Sequence, residues 1–317
     1  MQPIDPLSSF ISYLSPQCEV FAHVQLKAPW GIHEVEQNYC YFSFVKEGTC
    51  IVELADGRAV QLSAGKLLLL PYGHEHQMMS GQGIPCKSAD DLFAGKSREE
   101  VENMVIGGHG ESCSMMCGYL VFSLIQYWGR DHLCGALPEL LVIDVAPQSR
   151  LSCVLCWLYE ENSLMAQGSA LAHKALLELL LLEVLRGLKH IERAPSWLKA
   201  LHDRHLAPVL VALQSQLTRE WNVEQLAQVA ALSKSSFCSR FKCITGISPL
   251  QFVRQWRCLE AAKLLVSTNY SLKKIVQECG FQSVDVLIRN FRQFHNTTPN
   301  QYRKARRDER IVAKSTI

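Results

Sequence analysis

No basic segment opens the chain and no long apolar run follows it. The first residues, MQPIDPLSSFISYL, carry none of the features of a secretory signal. The most apolar stretch, Ala175 to Leu188, is interrupted by Glu178, Glu183 and Arg186, and is too short and too charged to span a bilayer. These absences predict a cytoplasmic chain with no membrane partner. Disulfide frameworks are rare in that compartment, so the 13 cysteines are expected to be mostly thiols. They also lack the paired four-ligand spacing of a zinc site. Net charge is small as well: 32 Lys and Arg against 30 Asp and Glu leave +2. What is plentiful is apolar surface, 48% of residues against 20% charged, which supports packed cores and excludes wholesale disorder.

The near-neutral total hides an asymmetry. From Val211 onward there are 17 Lys and Arg against 7 Asp and Glu, a net of +10, whereas the part before it holds 15 against 23, a net of −8. One half is built to meet a polyanion and the other is not. The 317 residues suffice for two domains. The front reads as β. Cys50 to Leu54 and Ala59 to Leu62 alternate around Asp56-Gly57, a hairpin signal, and Lys66 to Leu70 is a short apolar strand stopped by Pro71-Tyr72-Gly73. Gly81 to Ser112 is Gly-rich and aperiodic, which predicts a long loop. Strand patterns resume at Gly118 to Ser123 and Leu140 to Val145. Helical spacing begins near Ser149, with a break at Gly168-Ser169 and an end at Ala194-Pro195. This helix pair either forms a homodimer contact or packs on its own barrel.

From Pro208 every segment is helical in pattern. Asn222 with Gln225 three residues later has capping-box form, and Ser233 is a good N-cap for a helix starting at Lys234. Two stretches repeat: LAQVAALSKSSFCSRFKCITGISP, and IVQECGFQSVDVLIRNFRQFHNTTP about 50 residues later. Each holds a short helix, a tight turn and a second helix ending a few residues before a proline. A helix-turn-helix places the start of its second helix in the major groove, and two such units joined by a helix reach two successive groove faces. Trp256-Arg257, Ala261-Ala262, Leu264-Leu265, Gly280-Phe281, Arg289, Phe291-Arg292 and Pro299-Tyr302-Arg303 resemble the signature of the AraC/XylS family of bacterial regulators. That resemblance, over about residues 208 to 306, implies base-facing positions at Ser235, Ser236, Cys238 and Ser239 in the first unit. In the second it implies Val284, Asp285, Ile288 and Arg289. Serine reaches bases or phosphates and Arg289 can fork onto guanine, while Val284 and Ile288 meet only apolar features. Arg240, Lys242, Lys273 and Arg292 are the expected phosphate contacts.

In the front half, Gly65-x5-Pro71-x-Gly73-x2-His76 resembles the second motif of the cupins. The His-x-His and carboxylate of the first cupin motif are missing, since those positions fall at Val35, Gln37 and Tyr41. No metal, cofactor or catalytic residue is therefore expected, and Tyr41, His74 and His76 are read as lining a sensor pocket. Gly107 to Glu111, Cys117 to Tyr119, His132-Leu133, Ala136 to Pro138 and Pro195 to Leu198 resemble the cupin sensor attached to one branch of the same regulator family. The implied architecture is α+β in two domains. A cupin-like β-barrel sensor spans 1–148, a helical region 149–207, and an all-α double helix-turn-helix domain 208–310. The implied function is sequence-specific transcriptional regulation, with activation and repression both open. The expected partners are promoter duplex DNA, RNA polymerase and either an unknown small-molecule effector or an oxidant. Among the thiols, Cys153 and Cys156 would share a helix face. Cys18, Cys86, Cys113 and Cys117 are the redox candidates, because a mobile Gly107 to Gly110 loop would let them meet. The competing reading is a cupin metalloenzyme fused to a DNA-binding module.

Overall fold

Short alternating runs in the front half pair into two sheets whose inner faces share one apolar core. A computed structural model describes Asp5 and residues 7–8, 17–37, 39–97, 100–101, 104–121, 138–164, 167–188 and 196–305. The stretches His132-Leu133 and Ala136-Leu137, the Ala194-Pro195 stop and the side chain of Cys18 lie outside what is described. The chain divides into two compact units, one over Ser15–Phe122 and Leu137–Gly187, the other holding Leu188 onward.

In the first unit, β1 (Gln17–Lys27), β3 (Cys40–Glu47), β6 (Lys66–Leu70), β9 (Val105–Gly107), β10 (Ser112–Val121) and β11 (Leu141–Asp144) form one sheet in the order β11-β6-β3-β10-β1-β9. The second sheet runs β5-β4-β7-β2-β8, from β2 (Gly31–Glu34), β4 (Thr49–Leu54), β5 (Ala59–Ser63), β7 (His76–Met79) and β8 (Lys87–Ser88). Alternation sends every second side chain inward. Tyr41, Ser43 and Val45 of β3 meet Cys113, Met115 and Tyr119 of β10, and opposite them stand Cys50, Val52 and Leu54 of β4 with Met78 of β7. The four leucines of β6 are all buried because this strand is covered on both faces, which is why it reads as a continuous apolar run.

The stretch from Gly81 to Ser112 is not the long loop its composition predicts. It contains β8, a short helix α1 (Ala89–Phe93) and β9, and β9 pairs in parallel with Gln25 to Lys27. Nor is the glycine segment loose. Gly108 N–H donates to the Lys27 carbonyl at 2.7 Å and Gly110 N–H to the Ala28 carbonyl at 2.7 Å, while Ala28 N–H donates to the Glu111 carbonyl at 2.9 Å. The glycines are there for close backbone approach: a Cβ on Gly107 would fall 2.1 Å from the Lys27 carbonyl oxygen.

Two helices complete this unit, α2 (Arg150–Leu164) and α3 (Ser169–Leu188). Their buried stripe includes Leu151, Val154, Leu155 and Leu158 on α2, and Leu177, Leu180, Leu181 and Val184 on α3. Tyr159 of α2 lies against His23 and under the Lys46 ammonium, so the pair packs on its own barrel. Trp157, Leu171 and Leu179 remain exposed.

The second unit is all helix: α4 (Ser196–His202), α5 (Ala207–Ser215), α6 (Val223–Val229), α7 (Lys234–Thr245), α8 (Pro249–Ser267), α9 (Leu272–Cys279) and α10 (Val284–His295). The expected caps are in place. Asn222 and Gln225 form a reciprocal capping box, Ser233, Ser271 and Ser283 accept backbone N–H bonds, and Gly246 and Gly280 close their helices in the left-handed conformation. A ladder of rings, Phe237, Phe241, Phe252 and Trp256, seals α7 to α8 at centroid spacings of 5.4–5.7 Å. The second half repeats the device with Phe291 and Tyr302. Although the domain is expected to begin at 208, α4 already packs on α7.

Candidate nucleic-acid interface and sensor site

On α7 the core claims Phe237, Phe241 and Thr245, which turns Ser235, Ser236, Ser239, Lys242 and Cys243 outward. Cys238, expected on the reading face, is half-buried on the flank, and Cys243 takes the outward place instead. The helix period contains that signal, since 243 lies one turn beyond 239. The Ser233 hydroxyl donates to Ser236 Oγ at 2.9 Å, and Ser235 Oγ stands 3.3 Å from Ser233 Oγ. Arg240 is committed elsewhere: its Nε donates to Asp203 Oδ1 and Oδ2 at 3.1 and 3.0 Å, and Nη2 adds a third bond at 2.5 Å. Asp203 also accepts from the backbone N–H of His205 and Leu206. Burial raises the Asp203 carboxyl, but these bonds outweigh it and hold the group below the ordinary aspartate range.

On α10, Asp285, Ile288, Arg289, Arg292 and Gln293 line an open groove of about 430 Å³. Four of these are expected contacts; Gln293 is an addition, and Val284 is half-buried. Lys273 is exposed on the preceding helix, whereas Arg257 and Arg303 serve the fold. Arg257 donates to the carbonyls of Leu217 and Arg219, and Arg303 to those of Leu265 and Tyr270.

In the barrel, the turn at Pro71 and Gly73 delivers His76 inward, where it is buried and its ring lies 4.7 Å from that of Tyr41. His76 Nδ1 is 2.8 Å from the His74 carbonyl, so Nδ1 carries the proton and Nε2 is a bare acceptor. That buried Nε2 has no hydrogen-bond partner among the described residues. Burial, first of all, lowers the His76 pKa to about 4. The Tyr41 hydroxyl donates to the Met78 thioether at 3.3 Å. Beside them stands a carboxylate that the motif count passes over. Glu34 pairs across β2 and β7 with His76, accepts from the Tyr119 hydroxyl at 3.3 Å, and is pushed up by burial to about 7. Alternation with buried Ile32 is the signal that would have placed Glu34 inside. His33, by contrast, faces out to Glu75, His109 is exposed, and the His74 ring rests by Tyr72 and Glu139. Among the described residues no three His, Cys, Asp or Glu side chains converge to hold a metal.

The thiols do not sit as expected either. Cys113 and Cys117 are on β10, a central strand, and the Gly107 to Gly110 segment ahead of them is held by backbone hydrogen bonds to Lys27 and Ala28. Cys117 Sγ is 3.4 Å from Ser43 Oγ, and burial pushes its thiol up to about 11. Cys86 is half-buried and its thiol donates to the Ile84 carbonyl at 3.6 Å.

Residues 5–190 match the cupin family, and residues 226–305 match a helix-turn-helix domain. An AraC-like transcription regulator of Streptomyces lividans is 27% identical over 95% of this chain and 98% of its own length. The HTH-type transcriptional regulator AlkR of Acinetobacter baylyi is 24% identical over 95% and 99%. The crystallised DNA-binding domain of AdpA, in complex with a target DNA, is 36% identical and covers 34% of this chain and 96% of its own, with a TM-score of 0.33. No helix among the described residues is long and apolar enough to cross a membrane. The barrel and the repeated helix pairs thus fall within matched domains and a chain-long likeness to regulators: the chain belongs to the cupin family and is an AraC-family transcriptional regulator, a cupin domain followed by a DNA-binding double helix-turn-helix.

Proposed function

We propose that this regulator lays α7 and α10 into successive major-groove faces of promoter DNA under the control of a signal read inside the barrel. The observation that carries the DNA reading is the pair of serine-capped helices, each sealed by phenylalanines on one side and presenting polar side chains on the other. Ser235, Ser236, Ser239 and Cys243 would read one half-site; Asp285, Ile288 and Arg289 would read the next, with Gln293 at the edge. Lys242, Lys273 and Arg292 would meet phosphates, while Arg240 would steady α7 through Asp203. Ser239 is the expected discriminator of the first site. Replacing it with alanine should relax base preference by about 1–3 kcal/mol at that half-site, read by competition between promoter and scrambled duplexes. An equal loss on both would assign Ser239 to positioning only.

The signal reading rests on His76 Nε2, a buried acceptor without a hydrogen-bond partner among the described residues. A small effector with a hydroxyl or N–H donor would satisfy it beside Tyr41. Thiol oxidation at Cys18, Cys86, Cys113 or Cys117 is the second reading, favoured by the contact that makes Cys113 the more acidic partner of Cys50. The chain would act in the cytoplasm without catalysing a reaction, with RNA polymerase as its further partner. Exposed Trp157 and Leu171 offer a face for a second copy. A reporter on the target promoter separates the two signals: loss of response in His76→Ala alone supports the effector, and loss in the Cys18→Ser or Cys117→Ser variants supports oxidation.

A further inference from the structure

The inward face of β10 carries sulfur at three successive positions, Cys113, Met115 and Cys117, and Cys50 of the facing sheet reaches into the same layer. Cys50, Cys113 and Met115 are each at most 3% exposed. The Cys50 thiol lies 4.0 Å from Met115 Sδ and packs in the same core cluster as Cys113, with which it interacts electrostatically. Ser43 Oγ donates to Met115 Sδ at 3.6 Å and so fixes the thioether from its other side.

We propose that Cys50, Cys113 and Met115 form a binding site for a soft monovalent metal ion of the cuprous type. Thiolate and thioether ligands together select Cu(I) over harder ions. Three sulfurs around one ion in a trigonal plane, at metal–thiolate bonds of about 2.3 Å, stand about 4.0 Å apart, and the Cys50–Met115 pair already has that separation. No oxygen or imidazole ligand is needed. Binding replaces two thiol protons by one positive ion, leaving a single negative charge in the core where two uncompensated thiolates would be far more costly. Zinc is a poor occupant, since it prefers four N or S donors in a tetrahedron and a thioether is not among its usual ligands. The site concerns binding, and it stands whichever signal the barrel reads.

The test is anaerobic titration of the reduced full-length protein with Cu(I) against a chromophoric Cu(I) chelator, with Zn(II) in a parallel series. One equivalent of Cu(I) bound ahead of any other, a sulfur-only shell near 2.3 Å by X-ray absorption, and no displacement by equimolar Zn(II) are expected. Cys50→Ala and Cys113→Ala should each weaken that first equivalent by on the order of a hundredfold. Met115→Leu, which keeps the core volume and the fold, should weaken it about tenfold. Cys86→Ser and Cys243→Ser should leave it unchanged. Circular dichroism identifies any variant that fails to fold, and for the Met115→Leu protein it should match the wild type. Cu(I) binding that ignores all three core substitutions would overturn the proposal. So would a reduced protein that binds none.

Discussion

Glu34 and His76 face each other across two strands with opposite shifts and the same cause, burial that disfavours the charged form. The Glu34 carboxyl is raised from 4.5 to about 7, so its neutral form stabilises the folded barrel. That contribution is complete below about pH 4.5, where both states are protonated, and is lost as pH rises to 7. The loss is at most about 3 kcal/mol, less whatever solvent reaches the group. His76 acts in the reverse sense, its contribution present above its ordinary range and lost as pH falls toward 4. The two overlap between pH 5 and 6.5, and the difference between wild type and Glu34→Gln removes the histidine part. Urea unfolding at several pH values should show the wild type losing stability relative to Glu34→Gln from pH 5 to 7 and none beyond about 7.5. A pH-independent difference would place Glu34 in solvent.

At the scale of the element, the two helix-turn-helix units are copies in sequence but not in constraint. Gly246 and Gly280 both adopt the left-handed conformation, at φ of 78° and 74°. A Cβ on Gly246 meets nothing within 4 Å, whereas on Gly280 it would fall 2.6 Å from the Thr218 Cα. Gly246→Ala should therefore cost only about 1 kcal/mol, the conformational penalty. Gly280→Ala adds a backbone collision and should cost about 3 kcal/mol or more. Chemical unfolding of the two variants checks the ranking. Equal losses would mean that the loop at Leu217 and Thr218 yields freely.

For the molecule as a whole, Asp203 ties the segment ahead of the expected DNA-binding domain to its first reading helix. A fragment starting at residue 196 keeps α4 and the Asp203 contacts; one starting at 208 loses them. Loss of this cap and fork should cost about 1–2 kcal/mol, and about 5 °C or more in melting temperature for a unit of this size. Thermal melts of the two fragments read this directly, and coincident melts would show that α4 contributes nothing. Both fragments carry most of the net +10 charge of the chain from Val211 onward, so promoter affinity should fall linearly in log–log form with salt. A flat salt response would remove phosphate neutralisation as the source of binding.

The periodicity and caps of the second half were legible because helix signals are local: Asn222 with Gln225, Ser233, Gly246 and Gly280 act within a turn of their own positions. The hairpin around Asp56-Gly57 and the strand before Pro71 were legible for the same reason. The segment from Gly81 to Ser112 was misread because its order comes from distant partners: β9 exists through its pairing with Gln25 to Lys27, and the glycines through the backbone of Ala28. Likewise the motif placed His76 and Tyr41 in the barrel, but the fold supplied Glu34 and held the Gly107 to Gly110 segment ahead of Cys113 and Cys117 on the backbone of Lys27 and Ala28. Sequence alone determined the family, the repeated reading helices and the missing first-motif ligands, all carried by short spacings. Tertiary structure alone decided which sulfurs meet, which arginine is taken by Asp203 and which carboxyl is buried, because those depend on strands and helices far apart in the chain being brought within a few ångströms.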